Sequence, residues 1–286
     1  MAVRIEIRTN PEALRDLTIE KIAALCDLGY GISDNAYVLA QGETGKFNIL
    51  FSSAPIGRGM EVSLEERKVV IGLPLPNTPH DISLCYRLTG EICKTLGLET
   101  FHRDGEEIPY AQSASLITID LQSSLNALRN MEQQVRSGEQ TSASVFGALN
   151  PVVLGIPEFD AIGDTLYGFQ DLLDRLQQMD AYYTVPRFFR LEDGPVVGMY
   201  FLAEDLLAVM AHDPAPVYQK VEGISGYYVR IPGQYDIPYV DFMAQVEHVE
   251  RYDATHDVVC LRPDTCALLA AQYAVDLRTG QRPEIE

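Results

Sequence analysis

Between Arg58 and Gly97 the hydrophobic pattern changes period once. Met60, Val62 and Leu64 alternate with Glu61, Ser63 and Glu65, the two-residue period of a half-buried strand. A polar Glu65-Glu66-Arg67-Lys68 turn follows, and then an apolar run from Val69 to Leu75. Beyond it the period becomes helical. Ile82, Cys85, Leu88, Ile92, Cys93 and Leu96 fall on one face. Thr78 is placed to cap this helix and Pro79 suits its first turn. Asp81 favours the positive end, and Gly97 stops it. A hairpin followed by an amphipathic helix predicts a sheet with a helix laid over it.

The same reading extends along the chain. Val3 to Arg8 reads as a strand, and Ile19, Ile22, Ala23, Leu25 and Cys26 as a helix ending near Gly29. Ala36 to Gln41 and Lys46 to Ser53 are expected to pair as a hairpin around Gly42-Glu43-Thr44-Gly45. Thr100 to His102 and Glu107 to Tyr110 flank Asp104-Gly105, a turn dipeptide. Ser113 to Ser137 has few breakers and reads as a long helix connecting residues 1–138 to residues 139–286, with the polar Glu139 to Ser144 loop as boundary.

In the second part Asp164 to Met179 reads as a helix. Tyr182 to Leu191 and Val196 to Ala203 form a hairpin around Asp193-Gly194. Leu206 to Ala211 and Tyr227 to Ile231 read as strands, and Val246 to Tyr252 pairs with Asp257 to Leu261. Pro238 to Ala244 fits a helical turn or a strand equally. Asp264 is placed to cap a last helix, and Arg278 to Glu286 reads as a frayed tail. The fold class predicted is α+β: mainly antiparallel sheets built of hairpins, with helices packed on one face, in two associated subdomains.

Composition narrows the function. Hydrophobic residues make up 47% of the chain, enough for a packed core. No apolar run reaches the ~18 residues of a membrane helix. The opening MAVRIEIR alternates like a strand, unlike a signal peptide. A soluble, cytoplasmic protein is expected. Residues 139–286 hold 9 basic and 23 acidic residues, a net of −14 within a total of −19. That balance argues against nucleic acid, whose phosphates need clustered Lys and Arg. The five cysteines show no CxxC spacing, so buried free thiols are expected rather than disulfides or a zinc site.

The candidate motifs resolve mostly into turns. Gly42 to Lys46 lacks the spacing and the following Ser or Thr of a phosphate loop. Arg58 between Gly57 and Gly59 could grip an anion, but a strand follows where a helix would be needed. His102, Asp104, Glu106 and Glu107 crowd one turn. His248, Glu250, His256 and Asp257 share one hairpin, the best place for a metal or acid–base pair, though with no clean ligand spacing. No nucleophile elbow or dinucleotide fingerprint occurs. No catalytic residue, metal or cofactor is therefore assigned.

Eleven of the fifteen tyrosines lie in residues 139–286. Tyr235 and Tyr239, with Asp236, Asp241, Glu204 and Asp205 around them, are the predicted contact surface for a basic protein partner. The function expected is a non-enzymatic binding or accessory protein. The alternative is a hydrolase or metal-dependent enzyme.

GRGMEVS at 57–63, LPLPNTPHDISLCYRL at 73–88, GEICKTLG at 90–97 and FHRDGEEI at 101–108 resemble a bacterial family labelled only as a domain of unknown function. The resemblance implies an intracellular bacterial protein. It carries no catalytic residue over to this chain.

Overall fold

The computed structural model describes residues 2–33, 38–191, 194–215 and 221–277. The expected start of a strand at Ala36, the Asp193 of one turn and the tail from Arg278 lie outside them. The chain divides into two units, Met1–Met179 and Asp180–Glu286. The fold is α+β, as the patterning predicts.

The first unit opens with β1 (Ala2–Arg8), two short helices α1 (Pro11–Leu14) and α2 (Ile19–Ala24), and strands β2 (Gly29–Ser33), β3 (Leu39–Gln41) and β4 (Asn48–Phe51). Then come β5 (Met60–Glu65), β6 (Lys68–Pro74), α3 (Pro79–Thr95), β7 (Thr100–Arg103), β8 (Glu106–Pro109) and α4 (Ser113–Arg136). The eight strands form one sheet in the order β3-β2-β4-β5-β6-β1-β7-β8. Every pairing in it is antiparallel. Against the hairpin expected from sequence, β3 and β4 do not pair with each other; β2 lies between them and pairs with both.

One sheet face is apolar. Ile5, Ile71 and Val62 lie side by side across three strands and are buried with Ile22 of α2 and Ile82, Leu88 and Ile92 of α3. The opposite face is charged: Glu6 accepts from Arg4, Arg8 and Lys68. These hydrogen bonds, that from Lys68 foremost, lower its pKa to about 2.

At the start of α3, Thr78 Oγ1 accepts from the Asp81 N–H as a cap. The Asp81 carboxylate is fully buried and accepts the backbone N–H of Arg58 at 2.8 Å and of Gly59 at 3.0 Å. The 57–59 loop wraps so closely that a Cβ on Gly57 would collide with that carboxylate. Arg58 grips backbone rather than a ligand. Its Nη1 donates to Pro76 O at 2.6 Å and its Nε to Phe146 O at 2.9 Å. Burial pulls its pKa down to about 10, against the opposing pull of Asp81.

These bonds explain why the units divide after Met179 and not at the Glu139–Ser144 loop. The segment after the loop forms a two-stranded ladder, β9 (Ala143–Phe146) with β10 (Pro151–Leu154), then α5 (Ile156–Ile162) and α6 (Leu166–Gln177). Ala148 N donates to Gly57 O, and Ile56 N donates to Asp174 Oδ1 at 2.6 Å. Gln177 Oε1 accepts from Leu149 N and Asn150 N. The segment belongs to the first unit by satisfied polar groups as well as by apolar contact. Helix α4 lies where the pattern placed it, but packed inside the first unit. Its buried Asp120 accepts from Tyr86 Oη of α3 at 2.6 Å and pairs with Arg103 of β7.

The second unit contains β11 (Tyr182–Tyr183), β12 (Arg187–Arg190), β13 (Val196–Phe201), β14 (Leu207–Ala211), β15 (Ile224–Ile231) and β16 (Tyr235–Pro238). α7 (Tyr239–Gln245), β17 (Glu247–Arg251), β18 (His256–Cys260) and α8 (Pro263–Tyr273) follow. Pro238 to Ala244 is thus mainly helical. Two sheets form, β11-β14-β18-β17 and β12-β13-β15-β16. The pairs β11–β14 and β13–β15 are parallel. Ala208, Met210 and Val259 from the first of these sheets share a core with Val229, Ile231 and Ile237 from the second and with Phe242 and Leu269 of the helices.

The Asp81 contacts make a direct prediction. Asp81→Ala leaves two buried N–H donors unsatisfied, at about 1–3 kcal/mol each, so it should cost about 2–6 kcal/mol. Chemical denaturation of the variant checks this. A loss below ~1 kcal/mol would show that water or local rearrangement replaces the carboxylate.

Candidate protein interface

The second sheet of the second unit has two unlike faces. Along β13 every side chain from Val197 to Tyr200 is buried, but Phe201 at its end is 40% exposed. Antiparallel register sets Phe189 opposite Val197 and Arg187 opposite Met199. Parallel register sets Phe201 beside Arg230, and Arg230 is opposite Asp236. Residues side by side across a sheet point the same way. One face therefore carries Arg187, Phe189, Val197, Met199, Phe201, Arg230 and Asp236, while Tyr200, Val229 and Ile237 face the core.

On that outer face the Phe189 and Phe201 rings meet edge to face at 6.2 Å. The Arg187 guanidinium sits over the Phe201 ring at 5.7 Å. Tyr182 Oη donates to Phe201 O at 3.2 Å. Phe189 is 44% exposed and Tyr182 38%. Neither Arg187 nor Arg190 forms an ion pair among the described residues. Beside the rings lies a cavity of about 530 Å³, walled by Phe189, Leu191, Val197, Met199, Val275 and Leu277. Its polar floor is Arg230, held by Asp236 through two bonds of 2.7 and 2.8 Å. Mostly apolar walls with a few fixed polar groups are the usual make-up of a binding cavity.

The six residues singled out from sequence fall differently. Tyr235 is half-buried and reaches the end of this cavity, and Asp236 forms its floor. Tyr239 is 2% exposed; its ring packs on Tyr200 inside the core and its hydroxyl donates to Ala211 O. Asp205 pairs with Arg262 at 3.4 Å. Glu204 neighbours Cys266, whose thiol is pushed up to about 12, chiefly by burial and then by Glu204. Asp241 lies half-buried in the first turn of α7. The residues missed were Arg187, Phe189, Arg190 and Phe201. A signal was present: Arg-Phe-Phe-Arg does not alternate, so at least one ring must leave the core face.

A family model described as a domain of unknown function, DUF4299, matches residues 2–265. The chain belongs to the DUF4299 family. The match runs through the first unit and most of the second, well beyond the stretch at 57–108 that carries the resemblance in the sequence. No curated protein and no solved structure matches the chain.

The histidines lie on the other sheet of the second unit. The predicted grouping of His248, Glu250, His256 and Asp257 is only partly formed. His256 and Asp257 are neighbours on β18 and face opposite ways. A bulge at Val249 sets His248 opposite Val259 but Glu250 opposite Val258, so those two also diverge. His212 joins instead, because β14 pairs with β18. Asp257 Oδ2 accepts from His248 Nδ1 at 2.9 Å and from His212 Nε2 at 3.2 Å. On the opposite face His256 Nδ1 bonds Asp253 Oδ1 at 2.8 Å, and its Nε2 bonds Tyr183 Oη at 2.9 Å. No group of three or more His, Cys, Asp or Glu among the described residues has metal-binding geometry. All five cysteines are free.

His248 Nε2 also meets an acceptor, Met243 O at 2.9 Å, so only the imidazolium satisfies both nitrogens. The Met243 carbonyl, then Asp257, raises its pKa above 6.5, against burial. Burial alone would raise the Asp257 pKa, but the His248 and His212 contacts together lower it. A raised folded-state pKa contributes stability that is full below the unfolded value of 6.5 and disappears as pH rises through the raised value. Urea midpoints measured from about pH 5 to about pH 9 should therefore carry a step that His248→Gln removes. Identical profiles for the two proteins would show that the contacts carry no net linkage.

Proposed function

We propose that this protein is a non-enzymatic binding protein of the bacterial cytoplasm and that its second unit carries the contact surface. The observation behind this reading is the exposed cluster of Phe189, Phe201, Tyr182 and Arg187 beside a largely apolar cavity. Aromatic rings and arginine are the side chains that contribute most when an interface is buried. Free thiols fit a reducing compartment. The acids expected to receive a basic partner are largely engaged within the unit, Asp205 by Arg262 and Asp236 by Arg230. The chemistry of the partner is then set by the patch itself.

A second reading, an acid–base enzyme, draws on the Asp253–His256–Tyr183 chain of hydrogen bonds. It is the weaker one. His256 is buried, and Tyr183 packs its ring against both Tyr252 and His256. The cavity lined by Phe189 and Arg230 is built on the other sheet.

Affinity capture with the intact chain and with Phe189→Ser/Phe201→Ser tests the binding reading. The intact chain should retain a stoichiometric partner, and the variant should lose it by about tenfold or more while keeping its thermal midpoint. A partner retained equally by both would remove the patch from the interface.

A further inference from the structure

Strand β12 forms one edge of its sheet, and no strand pairs with its outer side among the described residues. The opposite edge, β16, is partly covered, because Val275 N donates to Asp236 O at 2.9 Å. The outward groups of β12 follow from its register. Leu191 N donates inward to Pro195 O. Antiparallel ladders alternate, so Phe189 and Arg187 also bond inward, to Val197 and Met199. The N–H and C=O groups of Phe188 and Arg190 then point away from the sheet.

The side chains flanking this edge are unusual for the unit. Residues 139–286 carry 23 acids against 9 basic residues, yet both charges on β12 are arginines. Arg187 and Arg190 stand on opposite faces, so positive charge lies above and below the open edge. Neither is offset by a carboxylate among the described residues. The cavity walled by Phe189, Val197 and Met199 opens on the Arg187 face of the same strand.

Resting on the binding reading above, we infer that β12 is a strand-addition site for an acidic, extended segment of a partner protein. The partner's backbone pairs with the outward groups of Phe188 and Arg190. Its carboxylates meet Arg187 and Arg190, and one apolar side chain enters the cavity of about 530 Å³. Main-chain pairing combined with a side-chain cavity is the physical basis of strand-addition recognition. A second copy of this chain is disfavoured on the same strand. Self-pairing of β12 would gather four arginines at one seam with no carboxylate from either strand.

The test uses the full chain and three labelled peptides followed by fluorescence anisotropy. The first carries Glu on both faces of an extended strand around a single Ile, the second has Lys for every Glu, and the third is the Glu peptide N-methylated along one edge. The Glu peptide should bind saturably, about tenfold or more tighter than the Lys peptide, and N-methylation should abolish binding. Arg187→Glu/Arg190→Glu should reverse the charge preference without moving the thermal midpoint. Absent binding, equal binding of Glu and Lys peptides, or undiminished binding of the N-methylated peptide each overturns the inference. So does a concentration-dependent dimer of the protein alone that Phe189→Ser disrupts, since a second copy then occupies the edge. If partner capture depends on Phe189 and Phe201 while these peptides fail, strand addition falls and the binding reading stands. If capture is also indifferent to the patch, both fall.

Discussion

One buried carboxylate organises the first unit. Asp81 sits where helix α3 begins and holds the backbone of Arg58 and Gly59 in the β4–β5 connection. That fixes the Arg58 side chain, which holds Pro76 before the helix and Phe146 in the later ladder. Asn77 continues the connection, donating its side-chain amide to Gly59 O and its backbone N–H to Ser124 Oγ of α4. A charge fully removed from water is costly unless its hydrogen bonds are made. Here Arg58 and Gly59 together satisfy one carboxylate oxygen, and the Arg58 side chain extends the link to Pro76 and Phe146, so sheet, helix and ladder are tied through one loop.

The second unit puts its uncommon features outside. Its core is closed by Val229, Ile231, Ile237 and Phe242, and even Tyr200 and Tyr239 spend their rings there. The outer face of the same sheet keeps Phe189 and Phe201 exposed and places the Arg230–Asp236 pair at the base of a cavity. A scaffold that buries Tyr200, Tyr239 and Tyr252 yet leaves two phenylalanines and an arginine stacked in solvent has the chemistry of a contact surface.

Local pattern made much of this architecture legible. The β5–β6 hairpin, the α3 face and the long α4 follow from periods of two and 3.6 residues, and each forms where the apolar positions place it. Strand β2 was missed because Gly-Tyr-Gly-Ile-Ser shows little alternation, and with it went the true neighbours of β3 and β4. The tie between residues 143–179 and the first sheet has no local pattern, because it consists of long-range side-chain-to-backbone bonds such as Asp174 with Ile56 and Arg58 with Phe146. The site was half legible. Asp236 and Tyr235 do reach the cavity, but tyrosine abundance pointed to Tyr239, which the core uses. The role of β12 depends on its being a sheet edge, a property of strand order that no local window contains.

The central claim is that partners add to the β12 edge. Amide hydrogen exchange with and without bound partner tests it most directly. The account predicts that the amides of Phe188 and Arg190, which point outward, slow on binding. Phe189, already bonded inward, should change little, and β16 should not respond. Protection centred on α7 or another surface, with exchange at Phe188 and Arg190 unchanged, would contradict it.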